Sequence, residues 1–279
     1  MSALNKYSEF LLSFRPGLCT DLPVISPIAI ALADRIRVGH IASDDEVRSA
    51  VMSDAFLAAK SLGIANSIGR DQHDDIFSVA EALEHIDVEY LSRLLTDSER
   101  FPSEFEVEVY DLWRHQCAVV TAVELLGAYI PNSDVPFDAC LTAAIVHDIG
   151  YLIECQYSAA RLREIGDLYR RQRAQCQRHA KLGESLALHW FFPPLIAEAI
   201  RFHHEPFAAH SAHGRFVATV IALADTCANV VVENAEYPQS VRSFGEGIGL
   251  GVHATNQWLE ALQRACGGQA TKGDRIAWA

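Results

Sequence analysis

Residues 140–150 read CLTAAIVHDIG, an apolar run that ends on adjacent His147 and Asp148 and stops at Gly150. Extended to 137–156, it is long enough for a helix and shows no apolar–polar alternation. The same grammar continues on both sides. Apolar residues recur at three and four over 107–129, 159–176, 179–190, 194–204 and 214–232, which predicts a helix over each. A Gly-rich loop is expected over 236–251, and a last helix over 253–265. Upstream, Ser26-Pro27 and Ser43-Asp44-Asp45-Glu46 are helix starts. DAFLAAKSLGIAN is a helix that stops near residues 66–69, and SVAEALEHI and VEYLSRLL are two short helices split at Asp87. The chain reads as all-α: an N-terminal helical subdomain over 1–105, a helical bundle over 106–265 and a polar tail over 266–279.

Half of the 279 residues are hydrophobic, enough to bury a core. The net charge is −13. That argues against sequence-independent nucleic-acid binding, which needs Lys and Arg to neutralise phosphates. It leaves room for a small anion held by a metal. No apolar run escapes interruption by charge or histidine for the roughly 18 residues of a membrane span. The N-terminus lacks the pattern of a secretory signal. Seven cysteines, an odd number, include no CxxC. Most of them read as buried free thiols, and the cytoplasm is the expected compartment.

Twelve histidines divide into two groups. His40, His73, His85, His210, His213 and His253 read as surface residues, and His189 as a cap or a surface residue. The other five fall on apolar helix faces. His115 shares a face with Leu112, Val119 and Val123, with Asp111 one turn before it. His147 and Asp148 end one apolar helix, His179 opens another, and His203-His204 end a third. Asp225 follows Ile221 by one turn in a helix that is apolar nearly all round. Buried charge is costly unless paired or bound to a cation. Inward imidazoles with inward carboxylates form the ligand mix of Fe, Mn, Zn or Ni. A metal-free His–Asp hydrogen-bond network is the competing reading. Arg114, Arg178, Lys181 and Arg201 adjoin these residues; they are either phosphate clamps or ordinary helix-surface charge.

The order His115, His147-Asp148, Asp225 resembles the H…HD…D pattern of the HD superfamily of metal-dependent phosphohydrolases. With His179 and His203-His204 it is similar to the two-metal set of HD-GYP phosphodiesterases. The N-terminal segments DLPVISPIAIALADRI, VRSAVMSDAFLAAKSLGIANS and VAEALEHI resemble the opening of HDOD domains, the HD-related output domains of bacterial signalling proteins. DLWRHQCAVVTAVELL, AAIVHDIGYLI and LIAEAIRFHHEP continue that resemblance, which spans about residues 15–235.

The resemblance implies one or two transition metals, Fe or Mn first and Zn or Ni as alternatives. His115, His147, Asp148 and Asp225 would hold the first, and His179, His203 and His204 would complete the second across a bridging Asp148. Asp111 would be a further ligand or would orient His115. It also implies an output module acting through regulatory protein partners or fused signalling domains, away from membranes. The alternative it carries is a metal-dependent phosphodiesterase or phosphohydrolase taking a phosphorylated small molecule, a nucleotide or cyclic dinucleotide, with Asp148 as a catalytic residue; Arg201, beside the paired histidines in sequence, is the expected catalytic phosphate contact in place of the missing lysine. Two departures bear on catalysis. HD-GYP enzymes carry HDIGK where this chain has HDIGY, with Tyr151 in place of the lysine. Their GYP loop is missing: Glu205-Pro206-Phe207-Ala208 follows His204.

Overall fold

The computed structural model describes residues 22–69, 75–103, 106–130, 134–157, 177–233 and 236–266. Among these the chain is helical, and the β-type pairing is a single parallel bridge between Val24 and Arg100.

Five helices come first. α1 (Pro27–Arg37) has Pro at its first position, and the Ser26 hydroxyl accepts from the Ala29 amide at 3.2 Å. α2 (Asp44–Met52) begins in a capping box between Ser43 and Glu46, with three acids in its first turn. α3 (Ala55–Gly69) is apolar on almost every face. α4 (Val79–Glu84) and α5 (Val88–Asp97) are separated at Asp87, which caps α5 by accepting from Glu89 N at 2.7 Å.

Asp54 locks this region together. Its Oδ2 accepts from the amides of Ile25 and Ser26 at 2.7 and 2.8 Å, and its Oδ1 from Phe56 and Leu57 at 3.0 and 3.1 Å. One buried carboxylate therefore satisfies the entry to α1 and the first turn of α3. Burial holds its pKa above the usual range, against the four amide donors, which favour the anion.

The remaining helices are α6 (Glu106–Leu126), α7 (Phe137–Val146), α8 (Ile149–Tyr157), α9 (Gln177–His189), α10 (Pro194–Phe202), α11 (Ala212–Glu233), α12 (Ser240–Gly247) and α13 (Val252–Cys266). Among the described residues two large apolar clusters run through the fold, beside a small one of Phe202, Ala209 and Ala218. One joins α1–α5 to the first half of α6 and to α8, α9 and α10. The other joins the second half of α6 to α7, α11, α12 and α13. In the second, the fully buried Trp258 donates from Nε1 to the Ala122 carbonyl at 2.9 Å. His115 lies on α6 where the two clusters meet.

Three sequence expectations need correction. The helix expected over 137–156 is two helices, broken at His147-Asp148. The His147 ring takes the Ala144 carbonyl at 2.9 Å, the acceptor the next helical amide would use. The loop expected over 236–251 contains α12, an amphipathic helix of eight residues that buries Val241 and Gly245. Finally, residues 212–231 of α11 are long and apolar enough to cross a membrane by length and composition, which the sequence reading had excluded. In the fold this is a core helix, with 72% of that window buried in the protein. The helix expected over 159–176 and His73 lie outside the described residues.

Candidate metal centre

Five helix segments bring the singled-out residues to one place. The middle of α6 supplies His115, the α7–α8 break His147 and Asp148, the first turn of α9 His179, the end of α10 His203 and His204, and the middle of α11 Asp225. His115, His147, His179, His203 and Asp225 are buried, and Asp148 and His204 partly so.

The ligand atoms form two groups, each within 4.8 Å: His115 with His147 and Asp148, and His179 with His203 and His204. Asp148 faces both. Its Oδ2 is 3.3 Å from His147 Nε2 and 3.8 Å from His115 Nε2, while its Oδ1 is 3.2 Å from His179 Nε2 and 3.6 Å from His203 Nε2. Asp225 Oδ1 closes the first group, 3.0 Å from His115 Nε2 and 3.9 Å from His147 Nε2.

Backbone carbonyls fix two of the rings. His147 Nδ1 lies 2.9 Å from the Ala144 oxygen, and His203 Nδ1 lies 2.7 Å from the Ile200 oxygen. A carbonyl only accepts, so each ring carries its proton on Nδ1 and turns an Nε2 lone pair inward. The second bond also ends α10 at Phe202, two residues before the expected His204.

These lone pairs test whether a cation fits. His147 Nε2 is buried without a hydrogen-bond partner, and its approach to Asp148 lacks hydrogen-bond alignment. His179 Nε2 is 3.2 Å from His203 Nε2 and 3.1 Å from His204 Nε2. One proton on His179 Nε2 cannot serve His203, His204 and Asp148 together. A divalent cation in each group would take up these lone pairs, and imidazole with carboxylate suits Fe, Mn, Zn or Ni. The residues present therefore fit a transition metal.

The electrostatics agree. Burial alone would raise the Asp148 pKa, but the neighbouring imidazoles, His147 first and then His179 and His203, hold it well below the usual carboxylate range. Burial opposes protonation of His147, and the Asp148 charge overrides it, so its pKa is raised. Burial dominates at the other group. It lowers the pKa of His179, and with the neighbouring His203 and His179 it takes His204 down to about 2.

Close backbone packing places His179. A Cβ on Gly150 would lie 1.8 Å from the His179 carbonyl oxygen, so α8 crosses α9 where only glycine fits. Gly183 repeats this one turn along α9: its Cβ would meet Ile200 Cγ2 at 2.7 Å. Tyr151 then lies on the His179 ring, with centroids 3.8 Å apart and planes 14° from parallel.

Asp111 and Arg201 fall outside both ligand groups. Asp111 is half-buried on α6. Arg201 Nε is 3.5 Å from Glu184 Oε2, and its guanidinium lies 4.9 Å from the Phe202 ring centre. Of the basic neighbours, Arg114 and Arg178 are half-buried and Lys181 is exposed. His85, His189, His210, His213 and His253 are exposed, and the half-buried His40 contacts Arg35 and Glu46. Cys117, Cys140 and Cys227 are buried free thiols; burial pushes the first two up to about 12 and raises the third further.

Sequence reasoning missed the Asp54 lock, the Tyr151 stack and Gln116. Asp54 carried a signal, since it opens an apolar helix. Gln116 carried a weaker one, an amide within an apolar stretch.

Known proteins with this fold can now be compared. A virulence factor, cj0248, from Campylobacter jejuni superposes with a TM-score of 0.64 at 14% identity, covering 98% of this chain and 100% of that one. A fragment of the MmoQ response regulator from Methylococcus capsulatus gives 0.61 at 20% identity, covering 84% and 93%. At these identities the likeness is one of fold. No curated protein matches the sequence significantly. The HDOD domain family matches residues 22–206, from five residues before α1 to two past the paired histidines His203-His204, so of the site residues Asp225 alone lies beyond the match. The chain belongs to the HDOD domain family.

Proposed function

We propose that this chain is a signalling output domain whose His/Asp cluster holds a transition metal, and that it acts through contacts with regulatory proteins. The observation that carries the metal is the pair of rings, His147 and His203, locked by backbone carbonyls with Nε2 lone pairs turned toward Asp148. HDOD membership supports the signalling role, as does the fold shared with a response regulator. His115, His147, Asp148 and Asp225 would hold one ion, and His179, His203 and His204, with Asp148 between, a second. Elemental analysis of protein purified from unsupplemented medium tests this. One to two Fe or Mn per chain is expected; less than about a tenth of an ion sinks the metal, on the affinity such donor sets ordinarily have.

A second reading is favoured by the position of Asp148 between the two ligand groups. Two divalent cations, if held by these two groups, would activate water and clamp a phosphoryl group. This chain's own contribution is less favourable. Tyr151 brings a neutral phenol, already stacked on His179, where HD-GYP enzymes have lysine, and Arg201 is engaged by Glu184. Losing one charge contact to a transition state commonly costs about 10²–10³ in rate. Hydrolysis of cyclic dinucleotides and generic phosphodiesters by the Fe- or Mn-loaded chain is therefore expected to be weak or absent. Robust turnover abolished by Asp148→Ala would promote the phosphodiesterase reading.

A further inference from the structure

Beside the His115 group lies a cavity of about 20 Å³. A single water needs roughly 10–15 Å³ on this measure, so the cavity has room for one. His115, His147 and Asp148 form one wall. Ile25, Ala55, Leu112 and Ile145 make the others apolar. Tyr151 also lines the cavity, and so does Gln116. Gln116 is 6% exposed, and its side-chain oxygen is buried with no hydrogen-bond partner. An unpaired buried amide oxygen costs about 1–3 kcal/mol. Gln116 Oε1 and His147 Nε2, buried atoms of its lining residues, have no hydrogen-bond partner, which is what a bound small ligand would relieve.

We infer that this cavity is a binding site for one water, or one hydroxide-sized anion in its place, held between Gln116 and a cation at His115, His147 and Asp148. This rests on the metal reading proposed above and adds to it a ligand and a positioning residue. The Gln116 amide can accept from water through its oxygen or, turned over, donate to an anion through its NH₂. The size limit comes from Ile25 and Ala55. Both are held by the Asp54 lock, since Asp54 takes the Ile25 amide and the amides that follow Ala55. The N-terminal helices therefore set the volume of the cavity, and the bundle supplies its polar wall.

Fluoride, close to hydroxide in size, is the probe. The full chain is loaded with Mn(II), and the fluorine-19 linewidth of added fluoride is followed as protein is titrated. Saturable broadening is expected. Gln116→Leu should raise the fluoride Kd about tenfold, the size of one charge-assisted hydrogen bond. Ala55→Val should abolish the broadening by filling the cavity. Both should keep their Mn, measured by elemental analysis. Should Gln116→Leu fail to fold, Gln116→Asn withdraws the amide by one methylene and is read the same way. Full Mn with no saturable broadening, or an unchanged Kd in the Gln116 variants, overturns the inference alone. Absence of Mn from the wild-type chain overturns the metal centre and this inference with it.

Discussion

The Tyr151 ring lies flat on the His179 ring at 3.8 Å, and both are buried. The residue that distinguishes this chain from HD-GYP enzymes is thus a packing partner of a candidate metal ligand. Tyr151→Lys would exchange an aromatic stack for an ammonium group in a nearly dry site. It should lower stability by about 1–3 kcal/mol through lost stacking and charge burial. It should not create phosphodiesterase activity. Denaturant unfolding and an assay of the Mn-loaded variant check both; a gain in turnover contradicts the packing role.

Gly150→Ala tests the α8–α9 contact. The new methyl must displace the His179 carbonyl, 1.8 Å from its ideal position. Overpacking costs about 1–3 kcal/mol, and the shift carries His179 away from His203 and His204. The variant should fold with a lower melting temperature and lose metal from the His179 group first. Retention of wild-type stoichiometry by elemental analysis would show that α9 is not held there by this contact.

Metal and stability should be linked through Asp148. A ligand that binds only the folded chain adds about 2.7 kcal/mol at a hundredfold excess over Kd. Asp148→Ala removes the carboxylate that faces both groups, so most of the melting shift caused by Mn should vanish. An undiminished shift in this variant would rule out the proposed bridge.

The metal-free chain should weaken in mild acid. His204 and His179 have pKa values below the ordinary 6.5 in the fold. Below about pH 6.5 the unfolded chain takes up protons there and the folded chain does not. Their contribution is therefore complete above that pH and is lost as pH falls. Each such histidine costs up to about 1.4 kcal/mol per pH unit. His147, with a raised pKa, works in the opposite sense and offsets part of the loss. Thermal melts of stripped protein between pH 7.5 and 5.0 should show the decline, and His204→Asn should flatten it. A flat wild-type profile would contradict the burial of neutral imidazoles.

Asp54→Ala should be the most damaging change in the N-terminal region. It orphans four amides in a dry site, for a loss of at least about 3 kcal/mol. Asp54→Asn keeps one oxygen acceptor and should lose less. Chemical denaturation of both variants gives the comparison; equal losses would mean the four hydrogen bonds are not what Asp54 contributes.

The sequence by itself determined the all-α class and most helix starts, because capping and apolar period act within a few residues. Ser26, Ser43 and Asp87 cap where their side chains can reach the next free amides. It also singled out His115, His147, Asp148, His179, His203, His204 and Asp225, since a polar group on an apolar face must find a partner wherever the helix packs. Only the tertiary structure decided that these faces meet at one point. Helical period says which face is inward but not which helix lies opposite. The glycine contact that seats α9 on α8, the Tyr151 stack and the Gln116 cavity are likewise relations between distant segments. Even the break at His147-Asp148 escaped a local reading. Residues 137–156 are apolar enough to continue as a helix, and the ring of His147, turned back onto the Ala144 carbonyl, takes the acceptor that continuation would need.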